Sequence, residues 1–168
     1  DLIKTNQNKV LFILHGLYGR GKNWQTFAKK YSYDRDQFVI TVNLRNHGGN
    51  EFKKEQSYLL MAEDVMEIIN YLGVSKVDLL GHSMGGKLAM VITMLDRSYI
   101  DKVVVADIAP VNYSEDNQNI IDILLVLDLF SINNRAHADE VLSNNIDEKF
   151  LRTFLLQNLE FEEGKYKW

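Results

Sequence analysis

The chain has 168 residues, 46% of them hydrophobic and 25% charged, which indicates one globular domain with room for a small appended unit. A formal net charge of −4 and a pI of about 5.6 argue against a nucleic-acid-binding surface. Cysteine is absent, which excludes disulfides, thiolate metal ligands and a cysteine nucleophile. No apolar run approaches the roughly 18 residues of a membrane span, and we expect a cytoplasmic protein.

Strand-like and helix-like patterns alternate over the first two thirds of the chain. Continuous apolar runs predict buried strands at residues 10–14, 38–42, 76–80 and 103–106. Apolar side chains at helical spacing predict helices at about residues 23–31, 61–72 and 87–95. Repeated strand–helix units imply right-handed crossovers, so we expect an α/β fold, a mostly parallel sheet with helices on both faces.

The pattern changes after Asn112. Residues 114–159 carry helical patterns with no strand between them, in segments at 120–130, 137–145 and 150–159. We therefore predict two regions: a core at residues 1–112 and a helical region at residues 113–168. We interpret the helical region as a cap over the edge of the sheet where ligands bind, and the alternative is that its helices complete the core.

The most informative motif is Gly-His-Ser-Met-Gly at residues 81–85, which fits G-x-S-x-G between a strand and a helix. At so sharp a turn Gly81 and Gly85 supply the flanking positions that tolerate almost no side chain. The turn lifts the Ser83 oxygen above the sheet and directs the first helical amides, beginning at Met84, toward a developing oxyanion. We predict Ser83 as a nucleophile, against the simpler alternative of a turn with an exposed serine.

Two further strand ends supply partners for Ser83. His15 and Gly16 follow the first strand, where the amide of Leu17, or that of Tyr18, is placed to donate to the oxyanion alongside Met84. Asp107 ends the fourth strand, where a carboxylate is unusual without a partner. We predict Asp107 as the acid that orients the catalytic base, and the alternative is that it caps a turn.

None of the four histidines is a convincing general base. The His82 side chain diverges from that of Ser83 at the turn, His47 lies in a loop behind the oxyanion side, and His137 falls in the helical region. In hydrolases with this elbow the histidine comes last in chain order. We therefore expect the base to lie beyond residue 168, and we expect the 168-residue chain alone to be nearly inactive.

A competing pattern occupies residues 16–23, which match the phosphate loop G-x-x-x-x-G-K-[ST] except that Asn23 replaces the hydroxyl residue. The apolar strand ending at Asp107 is also typical of nucleotide hydrolases. A nucleotide-binding protein is therefore an alternative, although it leaves the serine turn unexplained.

Four segments together resemble the α/β-hydrolase superfamily, and are most similar to small bacterial serine esterases and thioesterases of the YbfF type. They are residues 15–19 (His-Gly-Leu-Tyr-Gly), 44–48 (Leu-Arg-Asn-His-Gly), 81–87 (Gly-His-Ser-Met-Gly-Gly-Lys) and 107–111 (Asp-Ile-Ala-Pro-Val). The resemblance implies hydrolysis of a small carboxylester or acyl-thioester through a Ser-His-Asp triad and an acyl-enzyme, with no cofactor.

In that resemblance Ser83 matches the nucleophile, Leu17 and Met84 match the oxyanion donors, and Asp107 matches the acid, although many family members carry the acid one strand later. Two departures stand out: Asn43 replaces a usual aspartate, and the final strands that carry the histidine are missing. Lactonases, C–C hydrolases and haloperoxidases share the same elbow and stay open as alternatives, as does a binding module without catalysis.

Overall fold

The computed structural model describes residues 9–113 and 118–168, and the chain divides between Pro110 and Val111 into two compact units. The first unit contains a parallel sheet in the order β2-β1-β3-β4. Its strands are β1 (Val10–Leu14), β2 (Phe38–Val42), β3 (Val77–His82) and β4 (Ile100–Ala106). Its α-helices are α1 (Gln25–Arg35), α2 (Tyr58–Leu72) and α3 (Met84–Leu95).

Helices cover both faces of this sheet, so every residue of β1 is buried. Phe12 and Leu14 pack on one face with the apolar sides of α2 and α3. Leu11 and Ile13 pack on the other face with Ala28 of α1. The predicted α/β architecture with a parallel sheet is confirmed, because a strand covered on both sides must be apolar at successive positions.

The predicted elements of this unit are present with shifted ends. A 3₁₀ turn at Gly21–Trp24 precedes α1, and a second one at Arg97–Tyr99 precedes β4. Helix α2 starts earlier than predicted because the Ser57 hydroxyl accepts the Leu60 amide, and it ends at Gly73 with φ 66°. Strand β3 continues to His82 because its last residues pair with the end of β4.

The second unit is helical at first, with α4 (Gln118–Val126), α5 (Arg135–Leu142), α6 (Lys149–Leu155) and a 3₁₀ turn (Leu156–Asn158). The start of the predicted helical region, residues 114–117, lies outside the described residues. The chain then forms an antiparallel hairpin that the sequence pattern did not predict, β5 (Glu160–Glu162) and β6 (Lys165–Lys167). None of the described helices has the length and apolar character needed to cross a membrane.

Candidate active site

Ser83 lies between the last residue of β3 and the first residue of α3, in a backbone conformation that L-residues rarely adopt, φ 51° and ψ −117°. Its amide donates to the Ala106 carbonyl over 3.0 Å, and its carbonyl accepts the Gly86 amide over 2.8 Å. The strained conformation is therefore held by β4 on one side and by α3 on the other.

Gly81 and Gly85 allow three backbone segments to touch at this turn. A Cβ on Gly85 would lie 2.1 Å from the Leu14 carbonyl oxygen, and one on Gly81 would lie 2.1 Å from the Gly85 carbonyl oxygen. Neither obstacle is a side chain that could rotate away. The two glycines therefore set the spacing of β1, β3 and α3, as the sequence motif requires.

We expect Gly85→Ala to lower the free energy of unfolding by about 3 kcal/mol or more, because the new methyl group must displace the backbone of β1. Gly73→Ala is the matched control: its Cβ meets no atom within 4 Å, and only the positive φ of 66° opposes it, at about 1–2 kcal/mol. Urea denaturation of the variants measures both values. Equal losses in the two variants would contradict the proposed backbone contact.

The segment after β1 forms a turn beside Ser83. The Gly19 amide donates to the Gly16 carbonyl over 3.0 Å, and Leu17 and Tyr18 occupy the central positions, Tyr18 with φ 59°. A Cβ on Gly16 would lie 3.3 Å from the Ser83 Cβ, so this turn abuts the serine side chain. Leu17 is thus on a segment that adjoins Ser83.

Met84 is the other residue predicted to donate to an oxyanion. It is the first residue of α3, and the first amides of an α-helix have no partner within the helix. They also lie at the positive end of the helix dipole, which favours negative charge nearby. This arrangement can stabilise an anion beside Ser83.

His15 connects this turn to the loop after β2. Its side chain is buried, and its Nδ1 lies 2.8 Å from the Gly16 carbonyl oxygen. The Leu44 amide donates to its Nε2 over 3.1 Å. Burial lowers the pKa of the His15 imidazole to about 4, so the ring is neutral near neutral pH.

The loop after β2 is fixed by its own polar contacts. The Arg45 guanidinium donates twice to the Asp64 carboxylate of α2, over 2.8 and 2.7 Å. Asn46 donates to the Lys53 carbonyl and accepts the Lys53 amide. His47 lies with its Nδ1 2.8 Å from the Arg45 carbonyl oxygen, so its ring orders the loop.

Asn43 joins two loops with the two ends of its side-chain amide. Its Oδ1 accepts the Gly21 amide over 2.8 Å, and its Nδ2 donates to the Gly48 carbonyl over 2.9 Å. An ionised aspartate here would accept the first bond but would have no proton for the second. The asparagine is therefore part of the loop structure.

The same contacts bear on the phosphate-loop alternative. The Gly21 amide is bonded to Asn43, and the Arg20 amide donates to Asn23 Oδ1 over 2.7 Å. A phosphate loop uses such amides to surround the phosphate groups. Here two of them already have side-chain partners, which disfavours nucleotide binding by this segment.

Asp107 follows the end of β4, and the preceding Ala106 is the residue whose carbonyl binds the Ser83 amide. Its φ is 58°, its carboxylate is 84% exposed, and His82 Nε2 lies 3.6 Å from its Oδ2. The carboxylate is therefore on the segment that adjoins Ser83 and is open to a further partner. Sequence reasoning missed the His82 contact, which follows from the pairing of His82 with Ala106.

A separate cleft of about 410 Å³ lies between α2 and the loop after β2. Its lining includes Arg45 and Asp64 and does not include Ser83, Leu17 or Asp107. The turn at Ser83 and the cleft are therefore distinct features of the first unit.

A parallel α/β sheet with a strained serine between a strand and the helix that follows is typical of the α/β-hydrolase class of proteins. The model of the alpha/beta hydrolase fold family matches residues 9–167. The chain belongs to that family, which confirms the resemblance found in the sequence.

Three relatives illustrate the similarity. A solved structure of a marine microorganism esterase is 39% identical with a TM-score of 0.87, over 98% of this chain and 65% of that one. The sn-1-specific diacylglycerol lipase ABHD11 of Danio rerio is 32% identical over 164 residues, 94% of this chain and 52% of the relative. The esterase YbfF of Escherichia coli is 29% identical over 164 residues, 97% of this chain and 63% of the relative. The chain thus spans between about half and two thirds of the length of these relatives.

Proposed function

We propose that the protein is a serine hydrolase of carboxylesters or acyl-thioesters. The observation that carries the proposal is the strained backbone of Ser83, held by Ala106 and Gly86 at the start of α3. Strain of this kind persists only where surrounding structure enforces it, and it is typical of functional residues. Relatives named as an esterase and as a lipase support the substrate class.

In this proposal the Ser83 oxygen attacks the acyl carbonyl and a histidine base takes its proton. The amides of Leu17 and Met84 stabilise the tetrahedral oxyanion, for about 3 kcal/mol each. The leaving group departs with that proton, and water then hydrolyses the acyl-enzyme by the same sequence of transfers. Asp107 orients the histidine and stabilises the imidazolium.

We further propose that the base comes from outside these 168 residues. The partners of the described imidazoles support this. Both ring nitrogens of His15 have backbone partners. His82 contacts Asp107, but it directly precedes Ser83, and we expect adjacent side chains to diverge at so sharp a turn. Nδ1 of His47 contacts the Arg45 carbonyl, and Nδ1 of His137 accepts the Asn133 amide.

The test is covalent labelling of the full-length protein with a fluorophosphonate probe, followed by peptide mass analysis. We expect the label on the peptide that contains Ser83, and no label on the Ser83→Ala variant. Ser75→Ala is the matched control, since Ser75 is exposed just before β3, at the opposite end of that strand from Ser83. A label on another residue, or none on the unmodified protein, would refute the proposal.

A further inference from the structure

We propose that His15 is a positioning residue for the reaction: its imidazole fixes the oxyanion turn at residues 16–19 against the loop after β2, and so holds the Leu17 amide in place. This inference rests on the proposed function, because it assigns a task within that mechanism. It concerns a buried side chain that does not itself touch the substrate.

The hydrogen bonds of His15 define the position of its proton. Because the Leu44 amide donates to Nε2, that nitrogen carries no hydrogen. A neutral imidazole then has its single proton on Nδ1, which donates to the Gly16 carbonyl over 2.8 Å. The ring is therefore bonded to the Leu44 backbone at one nitrogen and to the Gly16 carbonyl at the other, and it holds the two segments at a fixed separation.

The Gly16 carbonyl is the point at which the turn is anchored. It accepts the Gly19 amide, which closes the turn, and also Nδ1–H of His15. Leu17 is the next residue along the chain, so a displaced Gly16 peptide displaces the Leu17 amide as well. A Cβ on Gly19 would lie 3.3 Å from His15 Nδ1, so the far end of the turn also adjoins the ring.

The backbone at Leu44, which bonds Nε2 of His15, is itself held in place by other contacts. Asn50 Nδ2 donates to the Leu44 carbonyl over 3.0 Å, and the next residue, Arg45, is paired with Asp64 of α2. The His47 ring lies beside that of His15, tilted by 56° with ring centres 5.1 Å apart. With 1% of His15 exposed, little water is available to replace either bond.

Three variants of the full-length protein distinguish the contribution of the bond to the Gly16 carbonyl from that of the bond to the Leu44 amide. His15→Leu removes both of them. His15→Asn retains a donor near the Gly16 carbonyl but is too short to reach Leu44. His15→Gln places an oxygen near the position of Nε2, where it can accept the Leu44 amide.

The readouts are kcat, KM and the affinity for a trifluoromethyl ketone, which adds to the nucleophile and forms a stable oxyanion. We expect kcat and inhibitor affinity to fall together, by about 10²-fold in His15→Leu and His15→Asn, because displacing one donor weakens oxyanion stabilisation. KM should stay within about twofold of its original value, because the ground state does not use this contact. His15→Gln keeps the Leu44 bond but lacks the bond to the Gly16 carbonyl, so we expect losses comparable to those of His15→Asn.

His137→Gln, in the second unit, serves as the control for removing an imidazole, and we expect it to leave kcat unchanged. Unchanged kcat in His15→Leu and His15→Asn would overturn the inference, as would parallel losses of kcat and substrate binding in all three His15 variants. If the unmodified protein takes no fluorophosphonate label, the proposed function fails instead, so the two failures are distinguishable.

A measurement on the unmodified protein covers the case in which a variant does not fold. Long-range proton–nitrogen NMR distinguishes the two neutral tautomers of histidine. We expect the His15 ring to carry its proton on Nδ1. A proton on Nε2 would overturn the inference, because the Leu44 amide would then have no acceptor on the ring.

Discussion

Ser83→Ala is expected to lower kcat/KM for an ester substrate by about 10⁵-fold or more in the full-length protein. The loss follows from removing the atom that forms the acyl-enzyme, while the backbone contacts of residue 83 remain. Alanine tolerates the positive φ of this position no better and no worse than serine, so we expect the free energy of unfolding to change by less than about 1 kcal/mol. Initial-rate kinetics and urea denaturation measure the two quantities.

The exposed Ser75, in the bend before β3, provides the comparison for this variant. Ser75→Ala removes the same hydroxyl group away from the elbow and should retain full activity. If Ser83→Ala kept more than about a tenth of the activity, a nucleophilic role for Ser83 would be untenable.

Asp107→Asn is expected to lower kcat by about 10⁴-fold, with little change in KM. An amide at this position would offer a donor where the base needs an acceptor, and so would favour the wrong histidine tautomer. Asparagine adopts positive φ as readily as aspartate, and the φ of 58° at residue 107 therefore poses no obstacle to folding. Steady-state kinetics together with circular dichroism test both parts.

Asp101→Asn is a matched control on the same strand. Asp101 pairs with Lys9 over 3.1 Å near the start of β4, at the end of the strand far from Asp107. Removing this exposed pair should change the stability little and leave the rate unchanged. If Asp107→Asn retained full activity, the acid would lie elsewhere, as it does in family members that carry it one strand later.

The sequence predicted the parts of the fold that depend on local pattern. The apolar run at Val10–Leu14 predicted a strand buried on both faces, and the glycines around Ser83 predicted a turn in which backbones meet. Both predictions rest on neighbouring residues, because burial on two faces requires a continuous apolar run and close backbone contact requires glycine. The end of α2 was also predictable from local sequence, since Gly73 follows its last apolar residue and adopts a positive φ that favours glycine.

What the sequence did not predict depends on contacts between distant residues. His15 and Leu44 are 29 positions apart, and nothing near either residue indicates that the other will meet it. The contact between His82 and Asp107 requires the register of β3 against β4. The β5–β6 hairpin is short and mostly charged, so it lacks the alternating apolar pattern that identifies a strand.

The main-chain contacts at Gly81 and Gly85 also limit which amino-acid substitutions the region around Ser83 can accept. Because the carbonyls of Leu14 and Gly85 set the local spacing, the position of Ser83 depends on peptide atoms that every sequence shares. The contacts at these two glycines therefore do not depend on the identity of any surrounding side chain. Glycine at these two positions is therefore the condition under which the residues around Ser83 can vary.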